Sequence, residues 1–454
     1  MARFAASEEG VVTPALPDPD LAAEAMTHLI PSGTGFSAVL RNKPFLAIWS
    51  AQVASQAAQN GVWYALILLI AGLTNANALS VGGIIVMVQL PTVLFSSVSG
   101  VLVDRVSKKA ILITTNAIRA VAVAGYLFFS GSIEALYLIT FVVAIASQPF
   151  QPAEGATIPL LVSEDQLITA NSLFQATFMG SQIIGFGLAA VLKATVGIDV
   201  TFIILMAMFA YAGGILVVLP ASTAVQQRFE TSSLVAAAEE VWAELLEGAR
   251  SILHDRKLLA AIIQITFAPT LLLLIAQLAP TFVKQVLHTN LNTTILVLAP
   301  AGLGMGIGLL VLGHWGPRLR KDRLVVVALL ALSVTILGLA DVPSLAHEFW
   351  LPFSLVGLNP SVQLSRLLTM LPLSLLAGIE IAFINAPLQT ILQERAPDHL
   401  RGRVLAMQQT LTAAVAIPPL LLIGGIELAV GVQGSFGLVG VVLFIVALAS
   451  VYGI

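Results

Sequence analysis

Two charged side chains stand far inside long apolar stretches of this sequence. Arg119 lies about ten residues into the apolar run 110–130, and Glu380 lies about 13 residues into the run that begins at Leu367. If these runs cross a bilayer as helices, a charge at such depth costs about 3 kcal/mol, so each charge needs a partner or water. For Arg119 we weigh a structural pairing role against a functional one, as an intramembrane charge in binding or coupling.

Glu380 is the acid that the sequence places deepest in an apolar run. The acids Glu134, Glu154, Asp199 and Glu427 fall near run ends, where water or lipid headgroups can solvate them. A carboxyl at depth can bind and release a proton if its exposure alternates between two sides of a membrane. We predict that Glu380 is the proton-coupling candidate. The alternatives are a protonated side chain bonded to a neighbouring helix, or a charge that attracts cations.

Uncharged polar side chains recur inside four of the apolar runs. In the first run they follow at steps of four, three and four, which places them on one face of a helix. Such a face forms interhelical hydrogen bonds or lines a cavity, and the sequence favours neither. The cavity candidates over all four runs are Gln52, Gln56, Gln59, Trp63, Gln148, Gln264 and Asn385. The sixth, ninth and twelfth runs lack such residues in their interiors, and we expect them to face lipid.

A compact charged segment, GVLVDRVSKK at residues 100–109, separates the runs 79–103 and 110–130. It predicts a tight turn at a membrane surface, with its lysine pair on the cytoplasmic side. The segment GHWGPRLRK at residues 313–321 falls at the corresponding place in the second half of the chain. Aligning Gly100 with Gly313 places Arg105 on Arg318, which indicates a weak internal repeat.

The sequence lacks the residue sets that mark enzymes and cofactor sites. It contains no H-E-x-x-H, G-x-x-x-x-G-K or G-x-S-x-G motif. It has no cysteine, which excludes disulfides, Cys-ligated zinc and thiol catalysis. The glycines of residues 302–308 form interleaved G-x-x-x-G pairs, which predict close helix packing rather than a nucleotide site. We expect no enzymatic activity, no cofactor and no metal site.

The composition is that of an integral membrane protein. Hydrophobic residues make up 58% of the chain and charged residues 10%, with a mean hydropathy of +0.96, whereas soluble domains have roughly 25% charged residues. The apolar runs are continuous rather than alternating, and about twelve of them reach the ~20 residues that a membrane-spanning helix needs. We predict an all-α polytopic protein in two pseudo-symmetric halves of six helices. The formal net charge of -3 indicates no nucleic-acid partner.

Charge and polarity divide the chain and orient it. The predicted segments are a mobile cytoplasmic tail at 1–40, a first half at 41–220, a cytoplasmic linker with an amphipathic helix at 221–257, and a second half at 258–454. With the tail inside, most of the 21 Lys and Arg residues fall on cytoplasmic segments; the exceptions are Lys193, Lys284, Arg366 and Arg119. We therefore expect a multi-pass protein of the cell membrane, plasma or inner, with both termini in the cytoplasm.

The segment 100–109 resembles the loop signature between the second and third helices of the major facilitator superfamily, whose Gly, Asp, Arg and Lys spacing it keeps. Three other stretches resemble the enterobactin- and macrolide-exporter-like branch of that superfamily. They are Trp49-x-x-Gln52-x-x-Ser55, the segment PAEGATIPLLV at 152–162 followed by ANSL at 170–173, and NAPLQTILQERAPDHLRGRV at 385–404. Gln59 departs from the branch, which often has an Asp there.

The resemblance implies a conformational latch on the cytoplasmic side. In that arrangement Asp104 and Arg105 engage neighbouring helix ends when this side is closed, with Arg401 and Arg403 as charged neighbours. The implied gate residues are Gly100, Asp104, Arg105, Lys108, Lys109, Arg318, Arg401 and Arg403.

The resemblance also implies a secondary active transporter that moves a small solute by alternating access. The preferred version is a proton-coupled exporter, an efflux antiporter for drug-like or siderophore-like compounds. The alternatives are an uptake permease of the same fold, or a non-transporting membrane sensor or scaffold derived from it. The expected partners are a small-molecule substrate, a proton or other coupling ion, and the lipid bilayer, and we expect a monomer.

Overall fold

The structure is a computed structural model that describes residues 36–220, 256–315, 320–354, 360–395 and 401–453. Within these ranges the chain forms helices joined by short turns, and no strand. The all-α prediction is therefore confirmed for the described part of the chain. The predicted tail up to residue 35, the linker 221–255 with its amphipathic helix, and Arg318 lie outside the described residues.

The helices fall into two groups along the chain. The first helix group contains α1 Phe36–Arg41, α2 Lys43–Leu73, α3 Ala78–Arg105, α4 Lys108–Phe128, α5 Ile133–Ser147, α6 Phe150–Thr157, α7 Leu167–Val196 and α8 Ile198–Ile215. The second helix group contains α9 Arg256–Gln285, α10 Ile295–Trp315, α11 Lys321–Ala340, α12 Val342–Ser354, α13 Val362–Arg395 and α14 Arg401–Gly453.

The long helices correspond to the predicted membrane spans. Among the described residues, 10 stretches are long and apolar enough to cross a membrane. One of them, Gln408–Ser450 within α14, has 43 residues, which is room for two crossings of about 20 residues each. The helix α9, with 30 residues, occupies the place of the seventh predicted span. With α9 and the two arms of α14, the helices match the twelve predicted spans one for one.

Side-chain caps fix where several of these helices begin. A short polar side chain just before a helix accepts a hydrogen bond from a backbone N–H of the first turn, which has no partner inside the helix. The caps of α2, α3, α4 and α5 are Asn42, Asn77, Ser107 and Ser132, with bonds of 3.2 to 3.4 Å. Pro44 has no backbone N–H, and it is tolerated in the first turn of α2 because an N–H there would lack a partner within the helix.

Two interruptions divide long apolar runs. The fourth predicted span is broken between α5 and α6 at Gln148 and Pro149, which confirms the predicted bend, because proline has no N–H to continue the helix. The second break is at Gly431, where φ is 73° and ψ is 172° inside α14. Residues with a side chain rarely adopt this backbone conformation, so glycine sets the boundary between the eleventh and twelfth spans.

The structure differs from the sequence prediction at three places. Gly100 lies within α3 rather than in a turn, and the turn before α4 consists of Val106 and Ser107 alone. Residues 36–40, assigned to the mobile tail, form α1 together with Arg41, and Val39 is buried there. The helix α12 between the ninth and tenth spans was not predicted, because its 13 residues are too few to cross a bilayer.

Helices pack mainly with members of their own group, and the two groups meet along seams. In the first group α2 packs against α7 and α8, and α4 packs against α8. In the second group α10 packs against α13, and α11 packs against α13 and α14. Between the groups, α3 contacts α14, α7 contacts α10, and α9 contacts both α2 and α3.

The glycine run of α10 lies at a close helix crossing, as predicted. A Cβ atom added to Gly304 would collide with the backbone of Leu375 on α13, and one added to Gly308 would lie 2.8 Å from Cβ of Ala382. Gly306, between them, has nothing within 4 Å of such an atom. The two helices therefore approach through one face of the glycine run.

Candidate functional site

Arg119 is buried in the interior of the first helix group. It is 7% exposed, and its guanidinium donates from Nη1 to Oγ of Ser55 on α2 and from Nε to Oγ of Ser147 on α5, both at 3.0 Å. Ser55 donates in turn to Oδ1 of Asn116 at 2.8 Å. These bonds join α2, α4 and α5 through one side chain. They supply the partners that a charge at this depth needs.

Aromatic rings and an acid complete the surroundings of Arg119. The Cζ atom lies 4.5 Å from the ring centroid of Phe150 and 5.9 Å from that of Phe209, within the range of cation–π attraction. Glu154 is 6% exposed and interacts electrostatically with Arg119. The prediction that Glu154 is solvated near a span end is therefore wrong. The break at Pro149 lets α6 continue beside α4, which places Glu154 against Arg119 rather than in water.

Glu380 is half-buried on α13 and faces α11. Its Oε1 accepts a hydrogen bond of 2.9 Å from Oγ1 of Thr335. Its Oε2 is buried without a hydrogen-bonding partner among the described residues. This geometry matches the static alternative, a bond to a neighbouring helix, and it also leaves one oxygen at which a proton can bind.

The polar face of α2 contacts α7 at its first members. Gln52 is buried and donates to the carbonyl of Phe174 at 3.4 Å, and Trp49 donates to Oγ1 of Thr177 at 2.9 Å. At this end of the polar face, the side chains form interhelical hydrogen bonds, which was one of the two predicted alternatives. Further along, Gln59 has a buried Oε1 without a partner in the described part of the chain, and Trp63 packs beside the apolar core. Gln56, which lies between Gln52 and Gln59 in the stripe, is also buried.

Of the other cavity candidates, one lies at a helix break and two lie in helices of the second group. Gln148 stands at the break between α5 and α6 and donates to Oγ1 of Thr92 on α3 at 3.2 Å. Asn385 is half-buried in α13, and Gln264 lies in α9, where the structure describes its backbone only. These positions do not form one hydrogen-bonded cluster with the stripe of α2 in the described residues.

All the predicted latch residues except Arg318 lie in the described part of the chain. Lys109 donates to the backbone carbonyl of Val217 at 2.7 Å and also to that of Leu219. It thereby ties the start of α4 to the end of α8, inside the first helix group. Gly100, Asp104 and Arg105 lie in the last turns of α3, whereas Lys108 opens α4. Arg401 and Arg403 lie in the first turn of α14.

Sequence reasoning misjudged one buried polar residue and missed another. The prediction that Glu427 is solvated near a run end is wrong, because Glu427 on α14 is 5% exposed and accepts a hydrogen bond of 3.2 Å from Gln285 of α9. Gln277 on α9 is fully buried and bonds to two other helices. Their spacing from run ends gave no signal, because depth along a helix does not say which way a side chain points. Within the described residues, no group of three or more His, Asp or Glu residues could hold a metal.

A family model described as the Major Facilitator Superfamily matches residues 48–418. This stretch runs from α2 into α14 and includes most of both helix groups. The chain belongs to the major facilitator superfamily. The predicted membership is confirmed, and the all-helical bundle with its polar intramembrane residues is the superfamily fold of this chain.

Relatives of this major facilitator chain include a curated bacterial protein. The chain is 27% identical over 129 residues to the uncharacterized MFS-type transporter YkuC of Bacillus subtilis strain 168. That match covers 28% of this chain and 30% of the relative's length.

Two solved structures share the fold over nearly their whole length. A mutant of the nucleoside transporter NupG matches with a TM-score of 0.69 at 13% identity, over 90% of this chain and 99% of that one. The POT family transporter PepTSo matches with a TM-score of 0.66 at 14% identity, over 90% of this chain and 97% of that one. At these identities the likeness concerns the fold.

Proposed function

We propose that this major facilitator protein is a secondary active transporter that moves a small solute across the membrane by alternating access. The observation that carries the proposal is the arrangement of the two helix groups. Each is packed within itself, and they meet along the seams of α3 with α14 and α7 with α10. Alternating access requires two such bodies that can rock about a shared seam while keeping their own packing.

The preferred version is an exporter of drug-like or siderophore-like compounds driven by inward protons. Support comes from the sequence resemblance of 152–173 and 385–404 to the enterobactin- and macrolide-exporter-like branch. In this version the protein is a monomer of the cell membrane with both termini in the cytoplasm, as the distribution of Lys and Arg favours.

Glu380 is the residue proposed to bind the coupling proton. Protonation at Oε2, which is buried without a partner among the described residues, removes the charge while Oε1 keeps its bond from Thr335. The carboxyl can therefore change charge without loss of its contact with α11. A release step requires that this region reach water in another conformation.

The charged residues between α3 and α4 are proposed to act as a latch on the cytoplasmic side. Asp104 and Arg105 end α3 close in sequence to Lys109, which anchors α4 to α8. An exposed ion pair contributes only about 0–1 kcal/mol, but a near-balanced equilibrium between two conformations responds to such a change. The variant Asp104→Asn is expected to reduce transport more than solute affinity.

The test is transport by purified protein in sealed vesicles with an imposed pH gradient. The panel contains cationic dyes, macrolides and catecholate siderophores, together with nucleosides and dipeptides because two structural neighbours are a nucleoside transporter and a POT family transporter. Protein-free vesicles and a dissipated gradient are the controls. Cells with and without the protein are compared for accumulation of the same compounds.

The outcomes separate the candidate functions. Gradient-dependent movement of a drug-like compound out of cells supports the exporter. Gradient-dependent accumulation of a nucleoside or peptide would replace it with the uptake permease. Solute binding without movement across the vesicle membrane would replace transport with a sensor or scaffold role.

A further inference from the structure

Three polar side chains on one face of α9 bind the short loop between α2 and α3 or the start of α3. Gln277, Thr281 and Lys284 are spaced four and three residues apart, which places them on successive turns of the same helical face. Thr281 donates to the carbonyl of Ala76 at 2.6 Å, and Lys284 donates to Asn75. All three connect the second helix group to the first.

Gln277 joins three helices at the deepest of these contacts. Its Nε2 donates to the carbonyl of Ala78 in α3 at 2.8 Å and to the carbonyl of Leu420 in α14 at 3.0 Å. The side chain is 0% exposed. One amide group therefore bridges the seam between α3 and α14 without access to water.

Glycine makes room for this side chain. A Cβ atom added to Gly82 would collide with the amide of Gln277, with Cδ at 2.6 Å. On the other side of the seam, a Cβ atom added to Gly424 would lie 2.6 Å from Cα of Leu79. A side chain at Gly82 would displace the amide of Gln277 from its position, and one at Gly424 would force α14 away from the backbone of α3. We call the notch at Gly82 with its occupant Gln277 the amide lock.

The loop that receives the lock has an unusual backbone. Asn75 and Ala76 have φ values of 58° and 65°, a left-handed conformation that costs about 1–2 kcal/mol for a residue such as alanine. Conformations of this kind persist where the surroundings hold them. Here the hydrogen bonds from Thr281 and Lys284 hold the loop in this conformation, and both donors belong to the other helix group.

The contacts of the lock suit a reversible joint between the groups. Each donor bonds to a backbone carbonyl or an amide oxygen of the loop, of the start of α3 or of α14, and water can replace such a donor when the groups separate. A purely apolar seam would expose hydrophobic surface on opening, at about 25 cal/mol per Å². The cost of opening this end is thereby kept low.

We propose that the amide lock holds the α2–α3 loop end of the pathway closed and that it must release for this end to open. The inference rests on the proposed alternating access, and it adds the residues that govern one gate. Under the proposed orientation, this end is the non-cytoplasmic one.

The experiment measures the distance across this end by double electron–electron resonance in lipid nanodiscs. Because the chain has no cysteine, spin labels attach only at introduced cysteines, here Leu73→Cys on α2 and Val362→Cys on α13. These side chains are 44% and 65% exposed. The variants are Gln277→Met, which keeps the length of the side chain without its donors, and Gly82→Ala, which keeps Gln277 but fills its notch.

The matched control is Gln433→Met. Gln433 donates its Nε2 to the carbonyl of Ala340 at 3.1 Å, and both of these residues belong to the second helix group. The control removes the same kind of bond without touching the seam. Thr281→Val serves as a third test variant of nearly constant volume, should Gln277→Met fold poorly.

The lock predicts that Gln277→Met and Gly82→Ala each raise the ratio of long to short distances about tenfold, as expected for two lost hydrogen bonds of ordinary strength. Thr281→Val should shift it in the same direction by a smaller factor, and Gln433→Met should not shift it. Unchanged distances in the folded Gln277 and Gly82 variants would overturn the lock. If the wild-type protein nevertheless samples both the short and the long distance, alternating access stands and only the amide lock is refuted.

Discussion

At the scale of single residues, a charge buried in the bundle is costly, and the buried charged residues have specific partners. Arg119 is the clearest example, because two serine hydroxyls and the ring of Phe150 surround its guanidinium. Glu154 is the acidic residue that interacts electrostatically with it. An unpaired ion at this depth would destabilise the fold.

Glu154→Gln is therefore expected to destabilise the protein. Replacement of the acid leaves Arg119 with the hydroxyl and aromatic partners alone, and the expected loss is roughly 2 kcal/mol, less than for a broken direct ion pair, because the hydroxyl contacts remain. The measurement is the apparent Tm in detergent. Glu134→Gln is the control, since Glu134 is exposed at the start of α5. Equal melting temperatures for the two variants would remove Glu154 from the support of Arg119.

Glu380 allows a sharper separation of roles. Glu380→Gln keeps an acceptor for Thr335 but cannot titrate, whereas Thr335→Val removes the 2.9 Å bond and keeps the carboxyl. Proton coupling predicts that pH-gradient-driven transport in Glu380→Gln falls to background with downhill exchange retained, and that Thr335→Val keeps gradient-driven transport. Robust uphill transport by the Gln variant would assign Glu380 the static role and favour another driving force.

Sequence reasoning found the depth of these residues but not their surroundings. Position within an apolar run located Arg119 and Glu380, because a polar residue inside about 20 apolar ones is visible without a structure. The partners Ser55 and Ser147 lie on helices far away in sequence. Glu154 was misjudged because the direction of a side chain depends on how α6 continues after Pro149, which no periodicity records.

At the scale of helices, the boundaries were largely predictable, because the residues that set them are close to the boundary in the sequence. The caps Asn42, Asn77, Ser107 and Ser132 and the break at Pro149 act within one turn of chain. The amphipathic α12 was missed because the search was for spans of membrane length. A close helix crossing at the glycine run of α10 was predicted from glycine spacing alone, since small residues at steps of four permit close approach, but its partner α13 was not.

Gly304→Ala tests that crossing. The new Cβ atom would meet the backbone of Leu375, so α10 and α13 must separate, at a cost of about 1–3 kcal/mol. Gly306→Ala, on the same helix but with nothing within 4 Å, is the matched control and should be neutral or slightly stabilising. Thermal unfolding of both variants in one detergent is the measurement. A control as unstable as Gly304→Ala would show that helix propensity, not packing, sets the effect.

At the scale of the whole molecule, the two helix groups and their seams determine what can move. Exposed apolar side chains such as Val334 on α11 and Ile445 on α14 lie on the outer surface of the bundle, 66% and 59% exposed. The helix α2 is the most buried of the candidate spans in the described residues. The expectation that the ninth and twelfth spans face lipid stays a prediction, because the candidate span of α11 as a whole is 44% buried.

Cysteine scanning tests the same expectation in a membrane. Single cysteines along α11, including Val334→Cys, should not react with a water-soluble thiol reagent, because lipid covers them. Cysteines along α9 should react at positions that line the pathway in either conformation. Labelling of α11 positions with none on α9 would reverse the assignment of pathway and lipid faces.

The central claim is that the two ends of the pathway open alternately, and a paired distance measurement tests it without knowledge of the substrate. One spin-label pair, Leu73→Cys with Val362→Cys, reports on the α2–α3 loop end, and a second, Val106→Cys with Arg323→Cys, reports on the opposite end. The pairs are measured separately in nanodiscs, in acidic and alkaline buffer and with Gly82→Ala. Alternating access predicts that each condition that lengthens one distance shortens the other. Distances that stay single at both ends in every condition, or that lengthen together, would contradict the account.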